Sequence, residues 1–205
     1  SINKYQLMIS KKYLIFISLI IFTLTSISNS NSIEPDIFVQ STVNRASQVL
    51  SDNLTKEQKI EKLKSIAQET VDIDGIGMYT LGAYRKTLNE DQKKEYKDLF
   101  QQYFLKTFSS RLAEYSNPEI QVNSKEKLNK NYTMVSSILV ATEQRPQIKI
   151  DWRIYTKNSD DPKIRDLIIE GLSLARTQKE EFSSIIQSND ENIEALFANL
   201  KKFLQ

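Results

Sequence analysis

Hydrophobic and polar residues alternate without interruption from Ile148 to Tyr155: Ile148, Ile150, Trp152 and Ile154 share one parity, Lys149, Asp151, Arg153 and Tyr155 the other. A period of two over that length predicts a strand with one dry and one wet face, Trp152 on the dry side. A polar turn over Lys157–Pro162 leads into a further strand, Lys163–Glu170, which stops at Gly171. Upstream, Glu119–Ser124 and Tyr132–Thr142 read as two more strands. With Gln147–Tyr155 they make four strands joined by short polar turns, the signature of an antiparallel meander. The second is apolar on both parities, with Met134, Ile138 and Val140 on one and Val135, Leu139 and Ala141 on the other.

Helical spacing brackets the strands. Pro35 and Asp36 open a segment with Val39, Val43, Ala46, Val49 and Leu50 on one face. Thr55 with Gln58 forms a capping box ahead of Ile60, Leu63, Ile66 and Ala67. Between Val71 and Leu88, Gly75, Gly77 and Gly82 interleave with Ile76, Met78, Tyr79, Leu81 and Tyr84, which predicts a bend or a close approach. Such a narrow face serves either a ligand or tight helix packing. Asn89 caps the longest helix, expected to run to about Tyr115 with Tyr96, Leu99, Phe100, Tyr103, Phe104, Phe108, Leu112 and Tyr115 along one side. That stripe is either core or an apolar wall for a ligand. Two more helices, Leu172–Ile186 and Asn192–Leu204, complete the chain.

Composition narrows the chemistry. The 205 residues, 40% of them hydrophobic and 26% charged, suit one globular domain. Cysteine and histidine are both absent, which removes disulfides, thiolate or imidazole metal sites, a cysteine nucleophile and histidine acid–base catalysis. Lys11 and Lys12 precede an uncharged run, Tyr13–Ile27, and the small residues Ser28-Asn29-Ser30 follow it. This is the layout of a secretory signal peptide, expected to start at Met8 and to be cleaved after Ser30. Residues 1–30 are therefore expected to be leader and 31–205 one exported, unanchored domain. Loss of Lys4, Lys11 and Lys12 would leave 25 basic against 26 acidic residues. A near-neutral chain with no basic stripe is not a nucleic-acid binder.

The run Asp166-Leu167-Ile168-Ile169-Glu170-Gly171-Leu172-Ser173-Leu174, followed by Thr177 and Phe182, resembles the segment of the MlaC, or toluene-tolerance auxiliary, family of periplasmic phospholipid-binding proteins. The resemblance extends to Leu81-Gly82-Ala83-Tyr84-Arg85-Lys86-Thr87-Leu88, to the helix start Asn89-Glu90-Asp91-Gln92 and to Asn192-Ile193-Glu194-Ala195-Leu196, and spans about residues 35–203. The chain departs from the family pattern at Asp161-Pro162, Ala83 and Arg85. The resemblance implies an α+β fold. Its curved antiparallel four-stranded sheet is wrapped by N- and C-terminal helices as a nuclear-transport-factor-like cone with an internal cavity. It implies a non-enzymatic periplasmic carrier that maintains outer-membrane lipid asymmetry and has no cofactor beyond its glycerophospholipid cargo. The implied partners are an inner-membrane ABC transporter complex with its membrane-anchored lipid-binding subunit, and an outer-membrane lipoprotein/porin complex.

Parity and helical face nominate Met78, Leu81, Tyr84, Phe104, Phe108, Ile138, Val140, Ile150, Trp152, Ile168 and Leu172 as lipid-lining residues. No metal or catalytic set is expected. Such a fold also hosts enzymes, and Asp166 and Glu170, four apart on one strand, would form a buried carboxylate pair if their face turned inward. The other reading is that Glu170 fixes the Gly171 corner by hydrogen bonding. A carrier of acylated polypeptides is a third class that the same cavity would suit.

Overall fold

The strands form a single open sheet. Its order is β1 (Ile120–Lys127), β2 (Tyr132–Leu139), β3 (Ile148–Tyr155), β4 (Lys163–Ile169) and β5 (Leu172–Ser173), all neighbours antiparallel. The computed structural model describes residues 31–205, of which Ser32–Gln205 form one compact unit. The expected leader, with its run Tyr13–Ile27, lies outside the described residues. Among the described residues six α-helices pack around the sheet: α1 (Pro35–Ser51), α2 (Lys56–Thr70), α3 (Ile73–Thr80), α4 (Glu90–Leu112), α5 (Leu174–Gln187) and α6 (Ile193–Leu204). None is long and apolar enough to cross a membrane.

The caps expected from sequence form. Thr55 and Asn89 each accept from the backbone three residues on, and Gln58 and Gln92 accept in return from the cap N–H. The glycine-rich segment is α3 followed by a 3-10 turn, Gly82–Lys86. A Cβ on Gly77 would lie 2.7 Å from Cδ1 of Phe100, so this glycine serves close packing of α3 on α4.

The sheet has five strands rather than four. Glu170 and Gly171 both take positive φ, 49° and 82°, and Ile169 pairs with Leu172 across them. Two consecutive left-handed residues make the primed turn that matches strand twist. The chain therefore reverses as a two-residue hairpin before Ser173 caps α5 by accepting from Arg176 N–H at 3.1 Å, and the helix begins at Leu174, not Leu172. β2 ends at Leu139 because Thr142 and Arg145 close a tight turn beyond it. β1 runs on to Lys127 through polar residues, and α4 stops at Leu112 rather than near Tyr115. Bulges interrupt β1 between Val122 and Ser124 and the β3–β4 pair next to Arg153, the local irregularity that bends a sheet.

The helices approach the sheet mainly at its flanks: α1 lies on β1 and β2, while α3 and α5 lie on β4. The long α4 packs instead on α2, α3 and α6.

Candidate functional site

Cross-strand register defines the two faces. Thr133, Val135, Ser137 and Leu139 of β2 pair with Ile154, Trp152, Ile150 and Ile148 of β3. These pair in turn with Ile164, Leu167 and Ile169 of β4, and Ile120 and Val122 of β1 join from the other side. This inner face packs against the helices. Val135 and Ile154 are fully buried and Ile164 is buried, whereas Ile120, Val122, Ile148, Leu167 and Ile169 are half-buried. The apolar wall therefore loosens toward one end of the sheet.

A second apolar surface, on the helical side, is aromatic. Along α4, ring centroids follow one another at 5.8 Å (Tyr96–Phe100), 6.1 Å (Phe100–Phe104) and 5.5 Å (Phe104–Phe108). Phe197 of α6 stacks on Tyr96, and Phe182 of α5 meets Phe100 edge-on. Tyr96 and Phe100 are buried, while Phe104 and Phe108 are half-buried. Offset and edge contacts of this kind favour a continuous apolar surface.

Polar groups inside the layer satisfy one another. The indole N–H of Trp152 donates to Ser137 Oγ at 2.8 Å, and Ser137 Oγ–H donates to the Ile150 carbonyl at 2.8 Å. On the helical side, Tyr96 O and Thr80 Oγ share a hydrogen bond of 2.7 Å, and Thr80 donates to the Gly77 carbonyl. Burial holds the Tyr96 hydroxyl well above the usual tyrosine range, against the opposing effect of Thr80. Burial raises Tyr103 as well, with the Glu181 charge adding to it.

The structure divides the residues nominated from sequence. Leu81, Ile150 and Trp152 sit in the buried core, and Met78, Tyr84, Phe104 and Phe108 pack partly buried against it. The Tyr84 hydroxyl turns outward to Glu191. Ile138 and Ile168 are corrected: they face Lys149 and Asp151 across the ladder, on the outer side of the sheet. Val140 lies past the end of β2 on the same parity, its carbonyl accepting from Arg145 at 3.0 Å. Leu172, in the hairpin, is 58% exposed. The inner-face residues that sequence reasoning missed are Val135, Ser137 and Leu139 of β2, together with Ile120, Val122, Ile164, Leu167 and Ile169. The parity of Trp152 carried across the ladder is the signal that could have found them.

Asp166 and Glu170 do not form an inward acid–base pair. Asp166 lies opposite Arg153 on the outer face and accepts from the Ala175 N–H at 3.0 Å and from Ser173 Oγ. Glu170 accepts from the Lys149 N–H at 2.6 Å and exchanges a backbone bond with the same residue. Both carboxylates fix the corner between β4 and α5. Among the described residues no group of three or more metal-ligating side chains gathers. Two hollows of about 380 and 440 Å³ lie along exposed stretches of α2 and α1, around Glu57–Glu61 and Ile37–Gln48, outside the inner layer.

Residues 40–202 match the family model described as MlaC protein. The chain is 23% identical over 168 residues to the intermembrane phospholipid transport system binding protein MlaC of Haemophilus influenzae, with 77% of each chain covered. Its fold is similar to that of the phospholipid-binding protein of Ralstonia solanacearum, solved in complex with a phospholipid, at a TM-score of 0.71 and 17% identity. That match covers 84% of this chain and 97% of the other.

Proposed function

The chain belongs to the MlaC protein family, and from that premise we propose that it is a periplasmic, non-enzymatic carrier of glycerophospholipid between the outer and inner membranes. The observation that carries the reading is the layer itself. It joins an aliphatic sheet face and an aromatic helix row in one apolar core, and the polar groups of Trp152, Ser137 and Ile150 within it bond to each other.

The physical demand on such a carrier is large. At about 0.8 kcal/mol per methylene, two acyl chains of about fifteen methylenes would cost on the order of 24 kcal/mol exposed to water. Burying them between the sheet and the helices calls for side chains that can repack around them. Long aromatic side chains suit this better than helix backbone in direct contact with the sheet, because rings can swing without breaking main-chain hydrogen bonds. Exchange with a bilayer is close to even, since both environments are apolar. Direction is therefore set by the donor and acceptor complexes: an inner-membrane ABC transporter with its anchored lipid-binding subunit, and an outer-membrane lipoprotein/porin assembly.

The lining we propose is Ile148, Ile150, Trp152, Leu167 and Ile169 on the sheet and Phe104 and Phe108 on α4. Met78 and Leu81 back the helical wall. Native mass spectrometry of the exported protein purified without detergent, followed by organic extraction, tests the function. A bound mass of a diacyl phospholipid is expected. Bound lipoprotein or acylated peptide with no phospholipid would replace this reading with a polypeptide carrier.

A further inference from the structure

α1 runs antiparallel to β1 along the free edge of the sheet, and side chains are the main link between them. Lys125 bridges Glu34 and, at 3.0 Å, Asp36. One turn on, the Gln40 amide accepts from the Val122 N–H at 3.2 Å and donates to the Ile120 carbonyl at 3.3 Å. Ser47 Oγ donates to the Pro118 carbonyl at 3.1 Å. Ile120 and Val122 turn these groups away from β2, where a further strand would bind them, so Gln40 stands in for strand backbone. A single main-chain bond, Ile33 N–H to Ser159 O at 2.9 Å, holds the segment before α1.

The opposite flank is closed differently. Val71 bridges Ile164 in parallel, and the Asp72 N–H donates to the Ile164 carbonyl at 3.0 Å. Asp72 also accepts from Arg165 Nε at 2.6 Å, and Lys163 Nζ reaches the Glu69 carbonyl. α5 is joined to β4 through the tight hairpin and the Asp166 cap. Opening there would break backbone pairing and a helix cap. Opening at α1 would break no strand pairing or helix cap: it would part the part-buried side-chain bonds of Gln40 and Ser47 and draw Val39 and Val43 from the core.

We infer that acyl chains pass into and out of the layer through the seam between α1 and β1, with the Gln40 amide as its latch. This rests on the carrier reading above. Half-buried Phe38, Ile120 and Val122 flank the seam, so parting it exposes apolar surface continuous with the inner face. The C-terminal end of α1 continues through a short link into α2, on which it packs, and serves as the hinge; the N-terminal end is the one that swings.

The chain has no native cysteine, so the seam can be pinned cleanly. Asp36→Cys with Lys125→Cys, joined by a reducible bis-methanethiosulfonate linker, pins the swinging end of α1. Glu69→Cys with Lys163→Cys pins the β4 flank as the comparison. The readout is transfer of fluorescent phosphatidylglycerol between donor and acceptor vesicles. Linking α1 should slow transfer on the order of tenfold or more, with recovery on reduction, while linking the β4 flank leaves the rate unchanged. Undiminished transfer with α1 pinned, or equal slowing by both links, overturns the seam assignment. If the native chain binds and transfers no phospholipid at all, the carrier reading falls, and the seam with it.

Discussion

Adjacent serines on β2 offer a test of which face of the sheet is internal. Ser137 is 1% exposed and takes the Trp152 indole N–H, while Ser136 points to the outer face opposite Asp151. Ser137→Ala removes one hydroxyl and leaves the indole donor buried without a partner, at a cost of about 1–3 kcal/mol. Ser136→Ala leaves no buried group unpaired and should change stability by less than about 0.5 kcal/mol. With a urea slope of about 2 kcal/mol per molar, the first substitution lowers the unfolding midpoint by about 0.5–1.5 M and the second barely moves it. Trp152 is the chain's single tryptophan, so its fluorescence reports unfolding and its own environment together. Equal midpoints for the two variants would refute the register-based assignment of the inner face, and with it the lining.

The same geometry separates two isoleucines. Ile150→Asp places an unpaired carboxylate in the core, costing about 3–5 kcal/mol, and should empty the protein of lipid. Ile138→Asp, on the outer face, should keep its lipid when extracts of the folded proteins are compared. Gly171→Ala should cost about 1–2 kcal/mol by thermal or urea unfolding, because φ is +82° although a Cβ would meet nothing within 4 Å. Alkaline stability should fall from about pH 10 upward, where tyrosine in the unfolded chain ionises while buried Tyr96 stays protonated. The proton is held more tightly in the folded state, so stability is complete below that pH and declines above it. Tyr96→Phe should flatten this alkaline limb in a series of urea titrations against pH.

Much of the architecture was legible locally. Alternation in Ile148–Tyr155 marked β3 and its dry face, the capping boxes at Thr55 and Asn89 marked helix starts, and the motif around Glu170-Gly171 pointed to the family that the match over residues 40–202 shows. Each signal is local: a side chain bonding three residues away, or a two-residue period along one strand. The corner was read one step short, because a positive φ at Glu170 as well as Gly171 is not visible in residue types. Without it, the two-residue strand β5 and the later start of α5 could not be foreseen.

The amino-acid sequence by itself determined the element types and their order, the absence of cysteine and histidine chemistry, and the family. The tertiary structure alone decided which side of β2 is internal. Its inner parity carries Thr133, Val135, Ser137 and Leu139 and its outer parity Met134, Ser136 and Ile138, so hydrophobicity along the strand does not choose between the faces. The pairing of Val135 with Trp152 settles the face, and that pairing joins two different strands. The grip of Gln40 on Ile120 and Val122 is of the same kind, spanning about eighty positions. Local periodicity encodes what each segment is; which segments meet, and with which face, depends on long-range register that no single segment contains.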